Sequence, residues 1–353
     1  MDYRASWRGS VGLDMKILVT GCSGRVGQCV SAHLIDRGFD VRGVDISEPE
    51  VAKFDFRLCD LTDYEALKPH VEDVDAVLHL AALASPREGK PQKVFELNDY
   101  AAFHVFQACV EAGVRRVVAA SSVNAIGFFF GRKAFRLDYL PVDEDHPSFT
   151  TDAYSFSKQI LEEIGRYFWR RETISGACIR FGAGLNAPVE DFVKARRDSF
   201  RSVSKFIDQL CTLPEEERRE EVLRIQTAYD QNRAQSPWET GRKWEGMTSA
   251  ELQCMNMVHN YWSFVDPRDA NVGMERALVA AYEGSHPLFI LDKHNTIGAS
   301  SKVLADLFYP GVSLRGELGG TESLVSWKRA ESLVGFTAQH SLSPYFGEFK
   351  YAD

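Results

Sequence analysis

The sequence lacks the features that define several classes of protein. It contains no run of about 20 apolar residues, so a transmembrane helix is not expected. Its 41 basic residues are fewer than its 50 acidic ones, and the net charge is −9 with no basic block. Nucleic acid and anionic membrane surfaces are therefore not expected partners, although local backbone dipoles can still bind a small anion.

Cysteine is present at seven positions, but the spacings are wide and no CxxC pair occurs. Neither a zinc site nor a disulfide framework is indicated, and a reducing cytoplasm is the expected location. Residues 1–14 lack the apolar centre of a signal peptide, and Met15 directly precedes an apolar run. We expect residues 1–14 to be a flexible extension or a mis-assigned start.

What the sequence does contain is an alternation of short apolar runs with helical patterns. Strands that are apolar throughout are typical of a parallel sheet covered on both faces, and right-handed crossovers then give a doubly wound α/β fold. The pattern predicts strands at 16–20, 41–45, 56–58, 75–82, 116–122, 174–181 and 287–291, and helices at 26–37, 94–112, 154–170, 300–308 and 326–334.

A glycine-rich turn follows the first strand and opens the first helix. Glycines there allow close approach of a pyrophosphate, and the helix N-terminus supplies free N–H groups. Asp45 ends the second strand, where a carboxylate binds adenosine ribose hydroxyls and repels a 2′-phosphate, so NAD is favoured over NADP; Asp60 ends the third strand near the expected adenine. The residues predicted to hold the dinucleotide are Gly21, Ser23, Gly24, Arg25, Val26, Gly27, Asp45, Asp60 and Leu61.

Tyr154 and Lys158 stand four residues apart in a helical pattern, which places both side chains on one helix face. A phenol with a pKa of about 10 is a poor base at neutral pH, but a neighbouring ammonium and a positive nicotinamide ring lower that pKa. Ser121 and Ser122 end the fifth strand, at the sheet edge where ligands bind. These groups occur in the order that one site for proton and hydride transfer requires.

Together these motifs resemble the extended short-chain dehydrogenase/reductase superfamily, in its NAD-dependent epimerase/dehydratase branch. The resemblance runs from residue 15 to about residue 335. It is carried by TGCSGRVG (20–27), VDIS (44–47), CDLTD (59–63), LHLAA (78–82), ELN (96–98), AASSVNAIG (119–127), YSFSK (154–158), IRFGAG (179–184), FVDPRDAN (264–271) and ESLVGF (331–336). It implies a Rossmann fold and NAD as the cofactor that carries the hydride.

The resemblance also implies roles for single residues. Tyr154 would be the acid/base, Lys158 its electrostatic and ribose-binding partner, and Ser122 the hydroxyl that orients the substrate. Tyr154 and Lys158 thus also count as cofactor-binding residues. The further cofactor contacts that the resemblance implies are Ala81, Ala82 and Asn98.

Departures from the family pattern narrow the activity. Family dehydratases carry an acid pair after the active hydroxyl, where this chain has Val123 and Asn124, and 4-epimerases carry an asparagine where it has Ala183. SSVNAIG and IRFG are similar to uronate dehydrogenases, in which the arginine that matches Arg180 faces the substrate carboxylate. A structural arginine, paired at a strand end, is the alternative. The implied substrate contacts are Ser122, Asn124 and Arg180.

The length of 353 residues suits one large domain or two closely joined ones. Residues 15–182, with a strand and helix from about 258–291, are expected to form the NAD-binding domain. Residues 183–257 and 292–353 are expected to form a smaller C-terminal substrate-binding lobe, because the pattern after Gly184 becomes polar and helical.

The sequence therefore predicts an NAD-dependent oxidoreductase that transfers hydride between a carbinol of a sugar-like substrate and the nicotinamide, with a free or acidic sugar favoured. Two alternatives stay open: a nucleotide-sugar 4-epimerase with tightly held NAD, and a non-catalytic NAD-sensing protein. We expect no metal site and no membrane or nucleic acid partner. The apolar helices at 94–112 and 154–170 are expected to form a homodimer interface.

Overall fold

The structure is a computed structural model, and it describes residues 15–350 except 52, 238 and 240. The extension expected at residues 1–14 lies outside the described residues. The described strands are β1 (Lys16–Thr20), β2 (Asp40–Asp45), β3 (Asp55–Leu58), β4 (Ala76–His79), β5 (Arg116–Ala120), β6 (Tyr139–Leu140), β7 (Ser175–Phe181), β8 (Ser285–Ile290) and β9 (Ser313–Leu314).

The α-helices of the described chain alternate with these strands in the first half and cluster in the second. They are α1 (Arg25–Asp36), α2 (Tyr64–Val71), α3 (Pro91–Phe95), α4 (Ala101–Ala112), α5 (Ala153–Glu172), α6 (Val189–Thr212), α7 (Glu215–Gln235), α8 (Ser249–His259), α9 (Pro267–Val279), α10 (Ser301–Phe308), α11 (Lys328–Val334) and α12 (Phe346–Phe349). A π-helical turn, Glu96–Tyr100, joins α3 to α4, so the helix predicted at 94–112 is continuous but wider at this turn. In the part of the chain described here, no helix is both long and apolar enough to cross a membrane.

Seven strands form one parallel sheet in the order β3-β2-β1-β4-β5-β7-β8. The predicted doubly wound α/β fold is confirmed. The order of the strands reverses between β1 and β4, and the carboxyl ends of such neighbours open a crevice in which ligands bind. The other two described strands, β6 and β9, form a short parallel pair in the C-terminal lobe that the sequence did not predict.

Helices cover both faces of the large sheet. Ile17 and Val19 of β1 pack on one face with side chains of α1, α9 and α11, whereas Leu18 packs on the other with α2, α4 and α5. Successive strand residues point to opposite faces, so a strand that is apolar throughout needs a helix layer on each side. This explains why the central strands show no polar alternation.

A separate apolar core lies in the C-terminal lobe, where α6, α7, α8 and α10 pack together. It encloses large aromatic side chains that are fully buried, among them Tyr229 and Trp262. The core also includes side chains from the segment after β5, residues 123–142, and Phe289 from β8. The lobe is therefore packed directly against the last strand of the sheet.

Two central strands are shorter than the sequence predicted. β4 ends at His79, opposite Ala119, and β5 ends at Ala120. The residues that follow, up to Ala82 and Ser122, were predicted as strand but leave the sheet at its carboxyl edge. Their side chains thus become available to a site at that edge.

Candidate active site

The turn after β1 brings two loops into close contact. Gly21 has a φ of +73°, and a Cβ atom on it would lie 2.6 Å from the backbone nitrogen of Ala81 in the loop after β4. A Cβ atom on Gly27 would lie 2.1 Å from the carbonyl oxygen of Gly21, so only glycine lets α1 pack on the turn. Since α1 begins after Gly24 without a side-chain cap, its first N–H groups are available to a diphosphate.

Asp45 lies at the end of β2, beside this turn. Its carboxylate accepts a hydrogen bond from Ser23 N at 2.9 Å and another from Ile46 N at 2.7 Å. A carboxylate has about four lone-pair sites, so both oxygens can still accept from ribose hydroxyls. The same negative charge opposes a 2′-phosphate, as the sequence predicted.

The other residues predicted to hold the dinucleotide lie around the same edge. Arg25 donates a hydrogen bond to the loop after β7. Val26 is partly buried and packs against the apolar core between α1 and the sheet. Asp60 is exposed after β3, and hydrogen bonds from Thr62 lower the pKa of its carboxyl group. Leu61 is buried beside it. The structure thus groups these residues along the ends of β1, β2 and β3.

Ser122 is the second residue after β5 and caps a short 3₁₀ turn. Its hydroxyl oxygen accepts a hydrogen bond from Asn124 N at 3.1 Å and one from Asn124 Nδ2 at 3.4 Å. Tyr154 lies in the first turn of α5, which Asp152 caps by accepting from Ser155 N at 2.8 Å. The Ser122 hydroxyl lies near enough to the Tyr154 phenol to lower the pKa of that phenol, so the predicted serine and tyrosine lie in one place.

Lys158 follows Tyr154 by one turn of α5 and is 5% exposed. Its ammonium nitrogen donates to the carbonyl oxygen of Ala120 at 2.8 Å, at the end of β5. The same nitrogen lies 5.8 Å from the centre of the Tyr154 ring. The two side chains therefore share one helix face, as their spacing predicted.

The pKa of Tyr154 is not lowered in the protein without a bound nicotinamide ring. Burial raises the pKa of Tyr154 to about 12, and the Ser122 hydroxyl lowers it only in part. Burial also lowers the pKa of Lys158 to about 8. Desolvation thus outweighs the attraction of the ammonium, and the phenol stays protonated at neutral pH.

Asn98 joins the loop after β4 to α5. Its side-chain oxygen accepts from Leu83 N at 2.8 Å, and its amide nitrogen donates to the hydroxyl of Ser157 at 2.9 Å. The small cavity beside this contact is lined by Ala81, Ala82, Asn98 and Lys158, among others. The predicted cofactor residues Ala81, Ala82 and Asn98 therefore lie around Lys158.

This geometry agrees with comparisons to known proteins. Residues 17–187 match the NAD-dependent epimerase/dehydratase family. An NAD-dependent glucose-6-phosphate dehydrogenase of Haloferax volcanii is 31% identical over 189 residues, which are 48% of this chain and 69% of that protein. The chain belongs to this family. The predicted resemblance is confirmed.

Relatives of this epimerase/dehydratase family member include further dehydrogenases, and also a putative UDP-glucose 4-epimerase of Methanocaldococcus jannaschii, 28% identical over 47% of this chain and 54% of that protein. A uronate dehydrogenase of Pseudomonas syringae pv. tomato is 27% identical over 203 residues, 57% of this chain and 70% of that protein. Among solved structures, a mutated uronate dehydrogenase aligns with a TM-score of 0.58 at 20% identity, over 95% of this chain and 85% of that one. At that identity the structural likeness shows the fold alone.

NAD is the cofactor of this family, and the residues present fit it. The uncapped start of α1 suits the diphosphate, and Gly21 and Gly27 leave no room for a side chain that would block it. Asp45 suits the adenosine ribose, and Lys158, which the resemblance expects to bind a ribose, lines a small cavity with Asn98.

The structure places Arg180, a predicted substrate residue, inside the protein. This side chain lies on β7 and is 2% exposed. Its Nε and Nη2 atoms donate to the two carboxylate oxygens of Glu162 at 2.8 and 2.7 Å, and Nη1 donates to the carbonyl oxygen of Glu144 at 3.4 Å. Because all three nitrogens are engaged inside the protein, these contacts favour the structural arginine that the sequence left as the alternative.

Sequence reasoning also missed three acids around the site. Glu162 pairs with Arg180 and accepts from the hydroxyl of Ser121 at 2.8 Å. Asp152 fixes the first turn of α5, and Asp99 is buried next to Asn98. Signals were present: Glu162 follows Lys158 by four residues, and Asp152 precedes an apolar helical pattern as a capping residue does.

The helices inserted after β7 hold the loop that covers the tyrosine. Arg233 of α7 is fully buried, and it donates to the carbonyl oxygens of Gly131 and Phe128, each at 3.0 Å. Between these two residues, the Phe130 ring meets the Tyr154 ring edge-on at 5.5 Å. The insertion therefore shapes the substrate side of the site through backbone contacts.

Proposed function

We propose that this protein is an NAD-dependent dehydrogenase that oxidises a carbinol of a free or acidic sugar. The observation that carries the proposal is the meeting of Ser122, Tyr154 and Lys158 at the sheet edge next to the glycine turn. The names of the two curated relatives, dehydrogenases of a uronate and of a sugar phosphate, support the substrate class.

In this mechanism the chain positions one alcohol and moves one proton. The Ser122 hydroxyl, oriented by Asn124, holds the reacting oxygen against the Tyr154 phenol. The Tyr154 oxygen, as the phenolate, would take the hydroxyl proton while the carbon gives up its hydride. NAD, when bound, would supply the hydride acceptor and a positive ring that favours this phenolate. Lys158 adds its own positive charge beneath the phenol.

The substrate side supports a small sugar more than a nucleotide sugar. Ala183 offers no amide at the position where family 4-epimerases carry asparagine. Since Arg180 is engaged by Glu162, an acidic sugar would need a different cation for its carboxylate. The case for a uronate therefore rests on the relatives and not on Arg180.

The first prediction concerns turnover with a panel of sugars. Purified protein is mixed with NAD and, separately, with aldoses, uronates and nucleotide sugars, and NADH absorbance is followed. We expect NADH to accumulate with a free or acidic sugar, and NADP to be used poorly because Asp45 repels its 2′-phosphate. Inversion of a nucleotide sugar by NMR without net NADH would contradict the proposal and establish the 4-epimerase.

We also propose that two copies associate through the long helices. Aromatic side chains stand exposed along α3, α4, α5 and the π-helical turn, and two pairs stack across the helices, Phe95 on Phe156 and Phe103 on Tyr167. Exposed apolar patches of this kind mark interfaces, and a second copy presents the same patch. The exposed members of this aromatic face are Phe95, Tyr100, Phe103, Phe156 and Tyr167.

The second prediction tests this homodimer. Replacing Phe95 and Phe103 together with glutamate places charges in the aromatic face, so we expect monomers by size exclusion with light scattering. The matched control is Leu223→Glu, because Leu223 is an exposed apolar residue of α7 outside that face. A double variant with the same mass in solution as the wild type would refute the interface.

A cytoplasmic location is part of the proposal and is supported by the cysteines. All seven lie in the described chain and carry free thiols. Burial raises the pKa of thiols such as Cys109 and Cys178, which keeps them in the inert protonated form. Cysteines that remain free thiols suit a reducing compartment.

A further inference from the structure

Asp99 is a buried acid that the proposed mechanism does not use. It lies on the π-helical turn Glu96–Tyr100 and is 3% exposed. Neither of its carboxylate oxygens has a hydrogen-bond partner among the described residues. A buried carboxyl group without such a partner is costly, so its presence needs an explanation other than packing.

The turn that carries Asp99 is fastened to the part of α5 that carries the catalytic lysine. The neighbouring Asn98 donates to the hydroxyl of Ser157 at 2.9 Å, and Ser157 directly precedes Lys158. Lys158 is 5% exposed, and its ammonium donates to the carbonyl oxygen of Ala120. The buried acid is thus the chain neighbour of Asn98, and Asn98 is hydrogen-bonded to the chain neighbour of the buried lysine.

We propose that Asp99 is the buried counter-ion of Lys158, a positioning residue that keeps the ammonium charged beneath the tyrosine. The inference rests on the proposed function, because a charged lysine matters only where it stabilises a phenolate and binds a ribose. In this interpretation the negative charge of the Asp99 carboxylate balances the positive charge of Lys158. An apolar residue at position 99 would leave the lysine without that balancing charge.

The other groups that face Lys158 do not provide that charge. Burial lowers the pKa of His79 on β4 to about 3, so this ring is neutral. Burial raises the pKa of Cys178 on β7, so its thiol is protonated, and Tyr154 on the same helix is also protonated at neutral pH. Among the described residues that act on the ammonium, Asp99 is the carboxylate.

The two groups shift each other in the direction that this pairing requires. Burial raises the pKa of Asp99 to about 7, and Lys158 lowers it in part. Burial lowers the pKa of Lys158 to about 8, and Asp99 raises it in part. Loss of the carboxylate should therefore move the deprotonation of Lys158 to a lower pH.

The third prediction is read from stability and needs no activity. The folded pKa of Asp99, about 7, lies above its unfolded value of about 3.9. The folded protein then binds more protons between these values, so its unfolding free energy falls as the pH rises from about 4 to 7. Burial also raises the pKa of other acids, Glu144, Asp152, Asp230 and Asp292, so Asp99 accounts for only part of this fall. In urea unfolding, Asp99→Asn and Asp99→Leu should make the fall measurably smaller, whereas the exposed-acid control Glu96→Gln on the same turn should leave it unchanged.

A double-mutant cycle tests the partner. Unfolding free energies at pH 7.5 (about half-way between the two shifted values) are compared for Asp99→Asn, Lys158→Met and the combination. A counter-ion predicts that the combined loss differs clearly from the sum of the single losses. Additive effects, or an unchanged pH slope in both Asp99 variants, would overturn the inference.

The pH profile of turnover links the pair to the chemistry. With the substrate found in the panel assay, the alkaline limb that reports loss of the ammonium should move down by about one pH unit in Asp99→Asn, and not in Glu96→Gln. If the alkaline limb of the pH profile does not move in an active Asp99→Asn variant, only this inference is refuted. A wild type that neither binds NAD nor oxidises any sugar defeats the proposed function, while the stability measurements still decide the pairing.

Discussion

Replacing Tyr154 with phenylalanine is expected to lower kcat by about 10²–10⁴-fold while NAD binding stays near the wild-type value. The change removes one oxygen, the group that takes the substrate proton, and leaves a ring of the same shape against Phe130. Ser122 then holds the alcohol without a proton acceptor. The measurement is steady-state kcat with the substrate identified by the panel, together with NAD affinity by calorimetry.

The matched control for this variant is Tyr167→Phe. Tyr167 lies on the same helix, α5, but is 38% exposed, and its hydroxyl only accepts a hydrogen bond from Arg171. The control should keep kcat within about twofold, since exposed substitutions have small effects. If Tyr154→Phe also stays within that range, another group takes the proton and the proposed mechanism is wrong.

The sequence predicted the parts of the fold that depend on short stretches of neighbouring residues. The strand, glycine turn and helix from Lys16 to Asp36 could be read from neighbouring residues, and so could the tyrosine and lysine one turn apart on α5. Ends of elements were harder to predict. Residues after His79 and Ala120 are as apolar or small as strand residues, but the pairing of β4 with β5 ends at His79 and the pairing of β5 with β7 ends at Ala120.

The role of Arg180 depends on contacts between distant segments. Arg180 reads as a polar residue at the end of a strand, and a free arginine there would face a ligand. Its partner in the structure, Glu162, comes from the middle of α5, and burial of both side chains is a property of the folded chain. The burial that raises the pKa of Tyr154 cannot be read from the spacing of a lysine either.

The insertion between β7 and α9 was predicted to be helical, but its contacts with the rest of the chain could not be predicted. Arg233 reaches carbonyl oxygens at Gly131 and Phe128, more than 100 residues earlier in the chain. Because these hydrogen bonds go to backbone oxygens, the sequence contains no acidic side chain that would have indicated them. Only the packed structure shows that α7 supports the loop over the catalytic tyrosine.

The Arg180–Glu162 pair gives the largest expected effect on stability. Replacing Glu162 with glutamine leaves a guanidinium that is 3% exposed without its balancing charge. Removing one partner of such a buried pair costs about 3–5 kcal/mol of unfolding free energy. Urea unfolding of Glu162→Gln should show this loss, and the exposed control Glu163→Gln on the same helix should lose less than about 1 kcal/mol, the usual range for a surface ion pair.

A double replacement separates a structural arginine from one that binds substrate. Arg180→Met combined with Glu162→Leu removes both charges and keeps apolar volume, so most of the lost stability should return, less a small cost for the unpaired Ser121 hydroxyl. Because neither side chain then faces the substrate, the KM for an acidic sugar should stay within about threefold of the wild-type value. A KM that rises more than tenfold in a stable double variant would instead return Arg180 to the substrate site, and would mean that its pairing with Glu162 opens when the sugar binds.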